Sequence, residues 1–309
     1  MIISASRRTD IPAFYSEWFM NRIKGGYFYK VNPFNKKQVK GISLAPKDVD
    51  VIVFWTKYPK PILPHLDELN KRGYNYYFQY TINGYPEILE PNLPSLNQRI
   101  DVFKKLCDET DKKQVVWRYD PIIYSNITPI NYHIEKFEEI ASEIHKYTSR
   151  VVISFLDIYG KTKIKLNKLE KNKNIRVKDI VDYKDKLIKI SNEIKNIADK
   201  YEIEIRSCGE TDNPSANIIK PGSCIDKDLI NKVFDLNIEL KKDKNQREQC
   251  LCAISEDMGI YDTCKFACTY CYADNSMKAV KNKVEDHNPK SSVLIGECDK
   301  KFYKQDTLF

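Results

Sequence analysis

The sequence predicts an α/β chain built as a parallel (β/α) barrel, partial, six-stranded and TIM-like. A C-terminal cysteine-rich cluster-binding segment follows it. Three observations predict this. Six short apolar, β-rich runs recur at residues 1–6, 49–55, 74–80, 114–117, 150–155 and 202–206. Segments with helical period lie between most of them, the pattern of a parallel sheet with crossover helices. Charged and polar residues follow each run, where the loops of a parallel barrel converge on one mouth.

The elements follow in order. A helix is expected over 12–24, stopped by Gly25-Gly26. Residues 27–44 read as a hairpin-like excursion before the second strand. Thr128-Pro129 starts a helix over 130–147, with Ile134, Phe137, Ile140, Ala141 and Ile144 on one face. Residues 161–178, rich in Lys and Asn, read as an exposed loop or lid. A helix over 177–201 carries Ile180, Tyr183, Leu187, Ile190 and Ile194 as a stripe. The barrel is assigned residues 1–210. Residues 211–309 form the cysteine-rich segment packed on its mouth, and the polar stretch from 274 onward is expected to wrap the surface.

Composition bounds the function. The chain has 309 residues, 42% hydrophobic content and a net charge of +8. That length suits one large core or two smaller ones. No stretch is apolar enough to span a membrane, and the N-terminus has no basic start followed by an apolar core. A reducing cytoplasm is therefore expected. There, nine cysteines argue for metal rather than disulfides. The basic balance permits a nucleic-acid or phosphate-bearing partner without requiring one. The four histidines are scattered and read as surface or packing residues. Trp55 and Trp117 read as packing.

The strand-end residues are the candidate site. Arg7, Arg8 and Asp10 follow the first run, Lys57 the second, Gln79 the third, Arg118 and Asp120 the fourth, Asp157 the fifth and Glu210 the sixth. Arg7, Arg8 and Lys57 suit a carboxylate or phosphate. Asp10, Asp120 and Glu210 suit ribose hydroxyls, amino groups or protons. Gln79 and Asp157 are further candidates for holding a cofactor. A structural ring of ion pairs is the competing account.

The cysteines carry the strongest signal. Cys264-x3-Cys268-x2-Cys271 places three thiolates within eight residues. A cubane iron–sulfur cluster takes one thiolate per iron, so three leave the fourth iron open. Zinc and plain core thiols are the rival accounts, and zinc sites usually pair their cysteines twice over. Cys208, Cys224, Cys250 and Cys252 admit two partitions. Either Cys250 or Cys252 closes the loop cluster, or the four make a separate zinc or auxiliary cluster site. The second is preferred.

The order x3 then x2, followed by an aromatic residue, resembles the cluster loop of radical S-adenosylmethionine (SAM) enzymes. That resemblance implies a [4Fe-4S] cluster, bound SAM, its reductive cleavage, and a reductase such as flavodoxin or ferredoxin. In that superfamily the loop usually follows the first strand; here it lies near the C-terminus. Taken whole, the chain resembles the bacterial domain of unknown function 1848 family. The resemblance rests on Ile2-Ile3-Ser4-Ala5-Ser6-Arg7-Arg8-Thr9-Asp10, Phe54-Trp55-Thr56-Lys57, Trp117-Arg118-Tyr119-Asp120-Pro121 and the tail from Cys250 to Ala273. It implies a radical-SAM-like barrel acting on an unknown small-molecule or nucleic-acid substrate. The alternatives are a non-enzymatic four-cysteine electron-transfer or sensor protein and a zinc-stabilised nucleic-acid-binding protein.

Overall fold

The computed structural model describes residues 1–32, 35–158 and 160–298. In chain order, the first elements are β1 (Ile2–Ala5), α1 (Ile11–Phe14), α2 (Ser16–Gly25), β2 (Tyr27–Asn32), β3 (Asn35–Ser43), β4 (Val51–Thr56), α3 (Leu66–Lys71) and β5 (Tyr76–Thr81). There follow α4 (Leu96–Glu109), β6 (Val115–Ile122), α5 (Ile130–Ile144), β7 (Arg150–Phe155), α6 (Gly160–Lys173), α7 (Lys184–Lys200) and β8 (Glu204–Cys208). The last are β9 (Pro221–Gly222), α8 (Lys227–Phe234), β10 (Glu256–Asp257) and α9 (Met277–Val284). The main sheet has eight strands in the order β10-β1-β4-β5-β6-β7-β8-β9, and β2 and β3 pair separately. These pairings do not close the sheet into a barrel.

The chain forms two compact units. Among the described residues, the first holds 1–32, 35–77, 255–265 and 273–298. Its parallel β1–β4 pair runs from Ile2 opposite Val51 to Ala5 opposite Phe54. Both strands are buried on both faces, hence their largely apolar sequence, interrupted in β1 by Ser4. Phe19 of α2 meets Phe54 edge-on at 5.2 Å, and Trp18 donates its indole N–H to the Ser291 carbonyl at 3.0 Å. Gly26 ends α2 at a φ of 74°, a conformation that favours glycine. The expected hairpin is present as the antiparallel β2–β3 pair.

The second unit holds 78–158, 160–254 and 266–272 of the described residues. Phe78 lies opposite Val115, Trp117 opposite Val151, and Val151 opposite Ile205, all in parallel register. Ser95 caps α4 in a reciprocal box with Gln98, satisfying two helix-end donors. The Phe137 face of α5 stacks on Trp117 at 4.6 Å.

Several expectations are corrected. The main sheet gains β9 and β10, each two residues long and too short to show a pattern. The run at 114–117 extends to Ile122, so Arg118 and Asp120 lie within a strand rather than after it. The expected loop at 161–178 is mostly helix α6. Lys, Leu and Glu are good helix formers, and Thr162 and Leu166, four residues apart, supply its narrow buried stripe. The helix expected over 12–24 breaks at Tyr15, and that over 177–201 starts only at Lys184, after a 3-10 turn at Ile180–Asp182. Of the polar tail, residues 299–309 lie outside the described residues.

The Trp117–Phe137 stack gives a direct test of this core. Phe137→Ala should cost about 3–5 kcal/mol, as large-to-small core changes do, measured by urea unfolding. A loss below about 1 kcal/mol would remove Phe137 from the core.

Candidate functional site

Each unit holds its own buried polar network. In the first, the Asp257 carboxylate of β10 accepts from Ser4 Oγ at 3.2 Å, Ser6 Oγ at 2.7 Å, the Arg7 amide at 3.2 Å and the Gly259 amide at 2.8 Å. A side chain at Gly259 would collide with Ser6, so only glycine brings its amide this close. The Arg7 guanidinium lies 5.3 Å over the Trp55 ring, and Trp55 Nε1 donates to Ser4 Oγ at 3.1 Å. Trp55 is thus a platform for a cation as well as packing. Arg8 sits over Tyr261 at 4.9 Å.

Asp10 caps α1. Its carboxylate accepts the Ala13 amide at 3.0 Å and the Lys57 amide at 2.7 Å. Lys57 enters this network through its backbone amide, and its side-chain charge also acts on the carboxyl. Burial pushes the Asp10 carboxyl up to about 7, although its donors, the Lys57 and Ala13 amides and the Thr56 side chain, pull the other way. Thr9 Oγ1 lies 2.6 Å from Thr263 Oγ1, and the Tyr15 hydroxyl donates to the Thr263 carbonyl at 2.7 Å. These bonds fix the residue preceding Cys264.

In the second unit the network centres on Arg118, 5% exposed. Its guanidinium donates to Asp120 Oδ2 from Nε at 3.0 Å and Nη2 at 2.5 Å, to Gln79 Oε1 at 3.3 Å and to Cys224 Sγ at 2.7 Å. Burial opposes its charge, but Asp120 and the Cys224 and Cys208 thiols hold it protonated. Ser154 of β7 donates to Asp120 Oδ1. The Cys208 and Cys224 sulfurs lie 3.1 Å apart, and the Cys224 amide donates to Cys252 Sγ at 3.3 Å. Cys250 in turn contacts Cys252. All four expected cysteines thus meet in one chain of contacts.

Glu210 is buried, accepts the Phe155 amide at 2.9 Å and pairs with Asn213; burial pushes its carboxyl up to about 7. Asp157 is exposed and paired with Arg247, so it stands apart from the buried network. His133 is a buried packing residue. Burial lowers it to about 4, and it bonds the Tyr119 hydroxyl and the Ile123 carbonyl.

The second half of the cysteine loop belongs to this unit. The Thr269 amide donates to the Leu89 carbonyl at 3.0 Å, and Lys165 Nζ to the Cys271 carbonyl at 2.9 Å. The Tyr270 hydroxyl donates to Glu90, which also pairs with buried Arg99 at 3.3 Å. Cys268 is buried and Cys271 half-buried; Cys264, in the first unit, is half-buried. Among the described residues, no group of three or more His, Cys, Asp or Glu side chains is set in the geometry that would hold a metal ion.

Sequence reasoning missed Asp257, Ser154, Arg247 and the Glu90–Arg99 pair. Asp257 lay in plain view two residues before a glycine. The other three offered no signal: the partners of Ser154 and Arg247 lie 34 and 90 residues away, and Glu90 and Arg99, nine residues apart, form no motif.

Fold and site together define an α/β protein with a parallel sheet, buried charge at its strand ends and a thiol cluster beside a buried arginine. The family described as Domain of unknown function (DUF1848) matches residues 2–273, and the chain belongs to it. The match encloses every cysteine except Cys298. No curated protein matches. Among solved structures the chain is similar to one titled a "putative alpha-L-fucosidase" from Bacteroides thetaiotaomicron, at 12% identity, over 54% of this chain and 66% of that chain, with a TM-score of 0.25. Among the described residues, no helix is long and apolar enough to cross a membrane.

Asp10 makes stability depend on pH with a definite sign. The native carboxyl keeps its proton up to about 7, while the unfolded one loses it near 3.8. The native state therefore binds more protons between those values, and stability falls as pH rises through that window. Between about pH 5 and about pH 8 the wild type should lose up to about 3 kcal/mol more than Asp10→Asn, read from urea midpoints. Parallel pH profiles for the two proteins would show that Asp10 is ionised throughout.

Proposed function

We propose that this chain is an iron–sulfur enzyme of radical-SAM-like type, with Cys264, Cys268 and Cys271 as the thiolate ligands of a [4Fe-4S] cluster. The observation that carries the reading is how the loop is held. Buried polar anchors flank the cysteines: Thr263 is tied to Thr9 and Tyr15, and Thr269 and Tyr270 are tied to Leu89 and Glu90. Backbone and hydroxyl groups of the loop are spent on these anchors, and each cysteine is next to one in sequence: Cys264 follows Thr263, Cys268 precedes Thr269 and Cys271 follows Tyr270. Three soft donors in eight residues suit iron, and three leave one iron for a small ligand. When bound, such a cluster would supply the electron that cleaves SAM and starts radical chemistry.

The chain's own residues would bind and orient. Arg7 and Arg8 carry cations directly after β1, and Lys57 another after β4, chemistry that suits a carboxylate or phosphate. Asp10 can hold or release a proton at its carboxyl near neutral pH. Asp120 and Gln79 fix the Arg118 guanidinium, so that their role is positioning. The substrate is left as a small molecule or nucleic acid, and the electron donor as a flavodoxin or ferredoxin.

The test is chemical analysis of anaerobically purified full-length protein. Iron and acid-labile sulfide should approach four each per chain, and Cys268→Ala should lose most of both. The paramagnetic resonance signal of the reduced protein should change on adding SAM. Absence of iron, or an undiminished cluster in Cys268→Ala, would overturn the assignment. A signal indifferent to SAM would leave an electron carrier rather than an enzyme of this type.

A further inference from the structure

We infer that Cys208, Cys224, Cys250 and Cys252 form a closed four-thiolate site for a thiophilic divalent cation, zinc, within the second unit. The inference does not depend on the loop cluster.

Three backbone arrangements bring the four together. Cys208 ends β8, opposite Gly222 of β9, so Cys224 comes two residues beyond its strand partner. The Ala253 amide donates to the Ile225 carbonyl at 3.1 Å, setting Cys252 beside Cys224. The Cys250 amide donates to the Arg247 carbonyl at 3.0 Å, and the Asp243 amide to the Cys252 carbonyl at 2.9 Å, which shapes the Cys-x-Cys turn. These are main-chain bonds, so the thiols converge by register rather than by collapse of side chains.

Burial points the same way. Cys250 and Cys252 are buried while Leu251 between them is 43% exposed. Packing alone would favour burying the leucine, which has more apolar area to remove from water. Turning two thiols inward and the leucine outward is the arrangement of a ligand pair.

The surroundings suit thiolates. The Cys224 amide reaches Cys252 Sγ at 3.3 Å and Arg118 Nη1 reaches Cys224 Sγ at 2.7 Å. Four thiolates around a divalent ion carry two negative charges, and N–H donors aimed at sulfur disperse them. Tetrahedral Zn–S bonds of about 2.3 Å set sulfurs about 3.8 Å apart. The Cys208–Cys224 separation is 3.1 Å. Binding therefore requires these sulfurs to part by somewhat over half an ångström, a side-chain adjustment within a fixed backbone frame. Among the described residues, these thiols do not already have metal-holding geometry.

Elemental analysis of the aerobically purified full chain tests the inference. About one zinc per chain is expected. It should fall at least fivefold in Cys252→Ser and in Cys208→Ser, and stay in Cys264→Ser. That last variant separates the two proposals, since loss of loop iron there leaves this zinc untouched. If the serine variants fail to fold, cobalt substitution of the wild type gives a second reading. It should produce the visible absorption of tetrahedral cobalt thiolate and protect the four cysteines from alkylation. Zinc absent from the wild type, zinc retained in Cys252→Ser, a Cys208–Cys224 disulfide found by mass spectrometry, or cobalt without thiolate absorption would each overturn it.

Discussion

A full positive charge sits on Arg118 at a place water scarcely reaches, and the interior of the second unit is arranged to answer it. The penalty for burying such an ion is several kcal/mol. Asp120 meets the guanidinium with two bonds, Gln79 with one and the Cys224 sulfur with another. Asp120 is held in turn by Ser154, and its amide donates to Asn83 at 2.8 Å. Three neighbouring strands, β5, β6 and β7, thus contribute to one hydrogen-bonded set. Removing the guanidinium would leave a carboxylate without its counter-charge, a change that costs more than the pair contributes. Apolar residues of equal volume would serve stability as well. What the polar set adds is a fixed geometry across the three strands.

The same reasoning applies to Glu90 and Arg99. Both are buried, and Glu90 also accepts from the Tyr270 hydroxyl, while Arg99 Nε is buried without a hydrogen-bond partner among the described residues. A buried ion pair fixes geometry more firmly than it adds stability. Here the geometry fixed is that of Tyr270, the residue before Cys271. In the first unit Asp257 has the equivalent place, drawing Ser4 of β1 and Ser6 and Arg7 after it against β10 through three donors.

Much of this was legible in the sequence, and the gaps have physical causes. β1 and β4 showed themselves as largely apolar runs because both faces are buried, and the hairpin and α5 showed by their periods. β9 and β10 did not, because two residues carry no period. α6 was hidden by a sequence of Lys and Asn whose buried stripe is only Thr162 and Leu166. The site was legible as a list of residue types and not as a set of partners. Asp157 reads like any other strand-end acid, yet it is exposed and committed to Arg247. Asp10 and Lys57 read as two side chains, yet it is the Lys57 amide that meets the carboxylate. Partners 47 or 250 residues away follow from sheet register, and register is set by the whole fold rather than by local pattern.

The cysteines fall into two sets. Cys208, Cys224, Cys250 and Cys252 are fixed by main-chain bonds between segments, and three of the four are buried. Such a frame tolerates little movement and suits a closed site whose role is to join three stretches of chain. Cys264, Cys268 and Cys271 lie in irregular chain positioned through the side chains of Thr263 and Tyr270 and the Thr269 amide, with Cys264 and Cys271 half-buried. Half-buried thiols such as Cys264 and Cys271, held by anchors on their neighbours, suit a reactive centre, because a ligand can reach them without unfolding the frame. Main-chain bonds reach the loop too, from the Thr269 amide to the Leu89 carbonyl and from the Cys271 amide to the Cys268 carbonyl, so the two sets differ chiefly in burial: three of four against one of three.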